Sequence, residues 1–144
     1  MALHGPLRSH GAAAQRVLGW IEAVGRSVPG TGLAGDDVVH FDFHPGNVLV
    51  APEDPSQIVA IVDWDGCGAG NVGLDLTTLC FSVTAGYERS PGVDSRLRSL
   101  VDALPDDVRR PCWAHMSLRL VDWAIRFHPD EVDHWLALAA TGMD

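Results

Sequence analysis

HFDFHPGNVLV, running from His40 to Val50, sets two histidines, an aspartate and an asparagine within eight residues. Val38 and Val39 lead into it, and Pro45-Gly46 forces a turn before the apolar Val48 and Leu49. Three readings of the stretch compete. It is a site that handles phosphate and magnesium, or a metal cluster in which His40, Asp42 and His44 share one face at a period of two. Alternatively it is a polar loop, since Asp and Asn favour turns for local reasons.

Working outward, NVLVAPEDPSQIVAIVDW at 47–64 reads as a hairpin. Its strands are 48–50 and 58–62, joined by a turn rich in Pro, Asp and Ser. DGCGAGNVG at 65–73 is a glycine-dense loop, after which Asp75 is placed to cap a helix through Leu76, Leu79, Cys80 and Val83. Before the motif, 9–28 is amphipathic, with Val17, Leu18, Ile21, Val24 and Val28 at helical spacing. The segment 30–35 formally matches GxGxxG, but it follows a helix and leads into a strand, so a connector is the better reading. Beyond a loop at 87–95, helices are expected near 97–104, over 107–127 and over 130–140. In the longest, Trp113, Met116, Leu120, Trp123 and Phe127 form a stripe expected to be core, with Pro111 near the first turn. His115, Arg119, Asp122 and Arg126 form a polar stripe expected to be a solvated, salt-bridged face. One helix, a small hairpin and several helices, without alternating βαβ units, make a mostly helical α+β domain spanning 1–144.

Bulk composition limits the classes of function. The chain has 144 residues, 47% of them apolar, which argues for a globular fold. No apolar run approaches the roughly 20 residues that span a bilayer, and Gly5, Pro6 and Arg8 interrupt the N-terminal segment. A soluble cytoplasmic protein without membrane contact is expected. Net charge is −9, with ten arginines and no lysine, so no basic stripe is available for nucleic acid. Cys67, Cys80 and Cys112 lack CxxC spacing and read as reduced thiols.

The decisive pattern is His40-x-Asp42-x-x-x-x-Asn47, a hairpin, then Asp63-Trp64-Asp65-Gly66. Phosphoryl transfer needs a carboxylate to receive the acceptor's hydroxyl proton and oxygen ligands that hold magnesium against the donor phosphates. HFDFHPGNVLV followed by IVDWDG resembles the core of the aminoglycoside phosphotransferase family, within the protein-kinase-like superfamily. The resemblance extends over about 9–140, with specific matches only from Val38 to Leu79. It implies Asp42 as catalytic base, Asn47 and Asp63 as magnesium ligands, and His40 as a brace. It also implies that Asp75 in GLDL ties down the catalytic loop. By this reading the catalytic loop spans 38–50, the metal-binding loop 61–70 and a helical acceptor region 73–140.

His44 either bonds the backbone or helps to position phosphate or acceptor, and Asp65 either organises the metal or caps the glycine loop. The implied donor is ATP or GTP, with Mg2+, and the acceptor is a small hydroxyl-bearing molecule. Two departures stand out. Phe41 occupies a position where the family usually has glycine. Only 39 residues precede His40, and no lysine is available to pair with nucleotide phosphates. The chain is therefore expected to correspond to the C-terminal lobe alone, with the N-terminal lobe absent. Activity would then need a separate N-lobe chain or assembly as a homo-oligomer. The alternative is a truncated, non-catalytic binding module.

Overall fold

The computed structural model describes residues 4–27, 33–85 and 91–143. They form two compact units, one built from both ends of the chain and one from 34–103. The chain is mostly helical with a small β component, as expected of an α+β protein. Among the described residues no helix is long and apolar enough to cross a membrane.

The terminal unit packs α1 (His4–His10), α2 (Ala12–Ser27), α5 (Asp106–Phe127) and α6 (Val132–Ala140). The single helix expected from residue 9 is split at Gly11, whose φ of 144° a side chain would not tolerate. Ala14, Val17, Leu18, Ile21 and Val24 then recur on the buried face of α2, and Leu7 of α1 is fully enclosed. Asp106 and Asp107 open α5, where carboxylates complement the helix dipole. Hydrogen bonding to Arg109 holds the Asp106 carboxyl below its usual range. Pro111 lies deeper than expected, in the second turn, where its missing N–H costs α5 one bond to the Asp107 carbonyl.

The aromatic stripe of α5 is not core throughout. Trp113 and Met116 are buried, but Trp123 is 38% and Phe127 66% exposed. The buried face runs instead through Cys112, Trp113, Ser117, Val121 and Ala124, because small side chains allow close helix packing. Trp123 stacks on His128 with ring centroids 4.1 Å apart. The polar stripe also departs from expectation at Asp122, which is buried. Arg126 reaches it with both Nε (2.7 Å) and a terminal nitrogen (3.1 Å), satisfying the buried carboxylate.

The central unit contains β1 (Asp37–Val39), β2 (Val48–Ala51), β3 (Asp54–Ile61), β4 (Gly68–Gly70), α3 (Gly73–Ala85) and α4 (Pro91–Asp102). β2 and β3 form the expected hairpin, but Pro52-Glu53 alone makes the turn and Asp54 already pairs with Ala51. Shifts of register on both sides of Val50 absorb the extra residues of β3. β4 was read as loop because Gly-Ala-Gly has no strand propensity. Its partner β1 supplies the ordering, pairing Val38 with Ala69 in an antiparallel ladder. A Cβ on Gly35 would collide with the Gly70 carbonyl, so small residues are needed at that crossing. Of the segment 30–35, residues 30–32 lie outside those described. Only 91–95 of the expected loop at 87–95 is described in full, and it is already helical in α4.

α3 packs on α4, and Leu74, Cys80 and Phe81 of the one and Val101 of the other are buried. Thr77 and Thr78 are buried as well, and each donates its hydroxyl to the carbonyl four residues back, at 2.7 and 2.8 Å. Burial pushes the Cys80 thiol upward, so it remains a neutral packing group.

One glycine in the terminal unit is sterically required. A Cβ on Gly142 would overlap the indole of Trp113, whose Nε1 donates to Ala139 O at 3.0 Å. Gly142→Ala should lower unfolding stability by about 1–3 kcal/mol through overpacking. Gly19→Ala, in open space on α2, should raise stability by about 0.5–1 kcal/mol. Urea melts followed by tryptophan fluorescence will check both signs.

Candidate active site

The site is organised by a buried imidazole. His40 is 1% exposed and follows directly from β1. Its Nε2 lies 2.8 Å from Val62 O, just beyond β3, and its Nδ1 accepts from Asp42 N–H at 3.3 Å. Only the Nε2–H tautomer satisfies both partners. Trp64 covers the ring at 4.7 Å and donates its own Nε1–H to Ile61 O at 2.8 Å.

Asp75 secures the same segment from α3. Its Oδ2 accepts from His40 N–H at 2.8 Å and its Oδ1 from Phe41 N–H at 3.0 Å. The carboxylate therefore does not cap its own helix, as its position near the start of α3 had suggested. Asn71 Oδ1 does so, accepting from Gly73 N–H at 2.9 Å. Asp75 instead bridges α3 to the loop carrying Asp42.

Asn47 completes the frame. It is 8% exposed, its Nδ2 donates to Asp42 O at 3.0 Å, and its own carbonyl accepts from Val62 N–H at 3.0 Å. The peptide groups of Asp42 are thus held on one side by His40 and on the other by Asn47. Val62 is gripped by the same two residues, which fixes the backbone from which Asp63 follows at the end of the hairpin. His44 caps the single 3-10 turn Pro45–Asn47, its Nδ1 accepting from Gly46 N–H at 3.1 Å.

Two residues without glycine's freedom adopt left-handed backbone here, Phe41 at φ 64° and Asp63 at φ 63°. β1 therefore stops at Val39, short of the turn at Phe41. A left-handed conformation costs an L-residue about 1–2 kcal/mol, so surrounding contacts must hold each one in place. Phe41 lays its ring against β4, its Cε2 3.3 Å from where a Cβ on Gly68 would stand.

The oxygen donors fit magnesium better than zinc. Both nitrogens of His40 are committed to the backbone, so a His40–Asp42–His44 metal cluster is not formed. Among the described residues no three His, Cys, Asp or Glu side chains gather as a cage. Magnesium does not need one, since it is commonly held by one or two carboxylates together with substrate phosphates. The amide nitrogen of Asn47 is anchored to Asp42 O, so Oδ1 is its atom that could hold a metal. The exposed Asp63 carboxylate has no protein partner among the described residues. Asp65 sits in an exposed turn, where Cys67 N–H closes onto Trp64 O at 3.0 Å. No hydrogen bond links it to the frame around Asp42.

Sequence reasoning missed the role of β4, the grip on the Val62 peptide and the Trp64 lid. DW within IVDWDG was the available signal for the Trp64 contact, since an aromatic next to the hairpin's end has ring area to pack.

Frame and motif together describe a phosphotransferase scaffold. The model of the phosphotransferase enzyme family matches residues 3–118, and the chain belongs to that family. No curated protein matches the chain.

Asp75→Asn removes one of two carboxylate acceptors and turns an NH2 toward a backbone N–H. This should cost about 1–3 kcal/mol. Amide hydrogen exchange at His40 and Phe41 should accelerate while that in α5 stays unchanged; uniform acceleration would mean that Asp75 does not act locally.

Proposed function

We propose that this protein transfers the γ-phosphoryl group of ATP or GTP to a hydroxyl of a small molecule such as an aminoglycoside or a related metabolite. The observation that supports this best is the double clamp on Asp42, whose N–H is bonded by His40 and whose carbonyl is bonded by Asn47. Holding a carboxylate-bearing residue in fixed register with a reacting hydroxyl is the main protein contribution to a reaction that is mostly positioning and electrostatics.

In this reading Asp42 takes the proton of the acceptor hydroxyl as its oxygen attacks the γ-phosphorus and the bond to the nucleoside diphosphate breaks. Asn47 Oδ1 and the Asp63 carboxylate would hold magnesium. When bound, that ion neutralises charge on the donor phosphates. His40 keeps the two loops in register, Asp75 fixes the entry to the catalytic loop, and Asp65 serves the turn beyond Asp63.

A second reading is a non-catalytic member of the family that acts as a binding module or is inactive. Val38, Ile58 and Val59 are 72%, 63% and 56% exposed, and a partner or a second copy of the chain that covers any of them would favour this reading.

Calorimetric titration of Mg-ATP and Mg-GTP, with and without a chelator, separates binding from inertness. With transfer measured alongside, Asp42→Ala should abolish turnover, a loss of at least about a hundredfold, while nucleotide affinity changes little. Equal loss of both would overturn the role given to Asp42. Magnesium-dependent binding without transfer by the unaltered chain would favour the module.

A further inference from the structure

We infer that His44 is the positioning residue for the Asp42 carboxylate; its chemical consequence rests on the phosphotransferase reading. The bonds from His40 and Asn47 fix the peptide groups of Asp42, whereas His44 faces its side chain. His44 Nε2 stands 3.8 Å from Asp42 Oδ2. The two side chains are 37% and 47% exposed, so the pair opens to the solvent from which an acceptor arrives.

The orientation of the imidazole is built rather than incidental. Nδ1 accepts from Gly46 N–H, which commits its lone pair and leaves the ring proton on Nε2. That proton points toward a carboxylate. Gly46 is part of the device, since a Cβ there would stand 2.8 Å from His44 Cε1 and 3.0 Å from Nδ1. Only glycine lets the ring lie over the turn. The φ of −137° at His44 is extended, so the ring direction follows from the turn and not from backbone strain.

A separation of 3.8 Å exceeds hydrogen-bond reach, so the bond forms only once the two side chains draw together. Contacts of this kind commonly shorten when substrate binds. Once closed, Nε2–H donates to Oδ2 and turns Oδ1 toward the acceptor. The acceptor's proton passes to Oδ1, and the Nε2 proton stays on His44. His44 thus selects which oxygen of Asp42 does the chemistry.

Two substitutions separate this role from turn capping. His44→Asn keeps a side-chain acceptor for Gly46 N–H but lacks the ring that reaches Asp42. Gly46→Ala keeps His44 and displaces the ring. Nitrogen-15 spectra of the imidazoles in the full chain are expected to show His44 as the Nε2–H tautomer, with its Nε2 resonance moving in Asp42→Asn. In transfer assays both His44→Asn and Gly46→Ala should lower kcat on the order of tenfold to a hundredfold, the scale of a slightly misplaced catalytic group, with nucleotide KM nearly constant. An Nδ1–H tautomer, an Nε2 resonance indifferent to Asp42→Asn, or full turnover in His44→Asn overturns the inference. The spectra read the pairing even in a chain that transfers nothing, so failure of the phosphotransferase reading is distinguishable from failure of this one.

Discussion

The central unit depends on a buried imidazole bonded at both nitrogens. Removing His40 from water is favourable only because Val62 O and Asp42 N–H replace the lost solvent bonds. Those partners lie on different segments, 22 residues and two residues away in the chain. Satisfying one side chain therefore fixes the distance between the Asp42 loop and the end of the hairpin. Asn47 repeats the constraint from the other side, binding Asp42 O and Val62 N–H. Register between two loops becomes a consequence of polar satisfaction, which tolerates far less displacement than apolar packing does.

The two left-handed residues fall at either end of that bridge. Phe41 follows His40 and Asp63 follows Val62. At each point the chain must turn sharply away from a residue it cannot release. Asp75 supports the first turn by accepting both His40 N–H and Phe41 N–H. Strain held in place by over-determined surroundings is common where side chains must be presented to a ligand. Here the residues presented are Asp42 and Asp63, the two carboxylates to which the proposed chemistry assigns the proton and the metal. Phe41 gives its strained backbone a second use, since its ring rests on the bare backbone of Gly68.

The terminal unit shows a different principle. Its α5 was expected to bury its largest side chains, yet Trp123 and Phe127 face outward while Ser117 and Ala124 are enclosed. Close approach of helices favours small residues at the contact, and the aromatic payload is then carried by Trp113 alone on that face. A buried Asp122 is accepted because Arg126, one turn on, meets both carboxylate oxygens. This is a local pairing within one helix and needs no partner from elsewhere.

Periodicity and spacing were sufficient for much of this. The helical repeat of α2, the hairpin after Asn47, the span of α5 and the order of His40, Asp42, Asn47 and Asp63 are all legible, because each depends on residues near one another in sequence. What the tertiary structure alone decided are long-range choices. Gly68–Gly70 becomes a strand because β1 lies beside it, and Asn71 takes the capping place at the start of α3. The helix faces of α5 are sorted by neighbours and not by hydropathy. Local patterns encode local dihedral preferences, whereas the partner of a buried polar atom is fixed only when distant segments close around it.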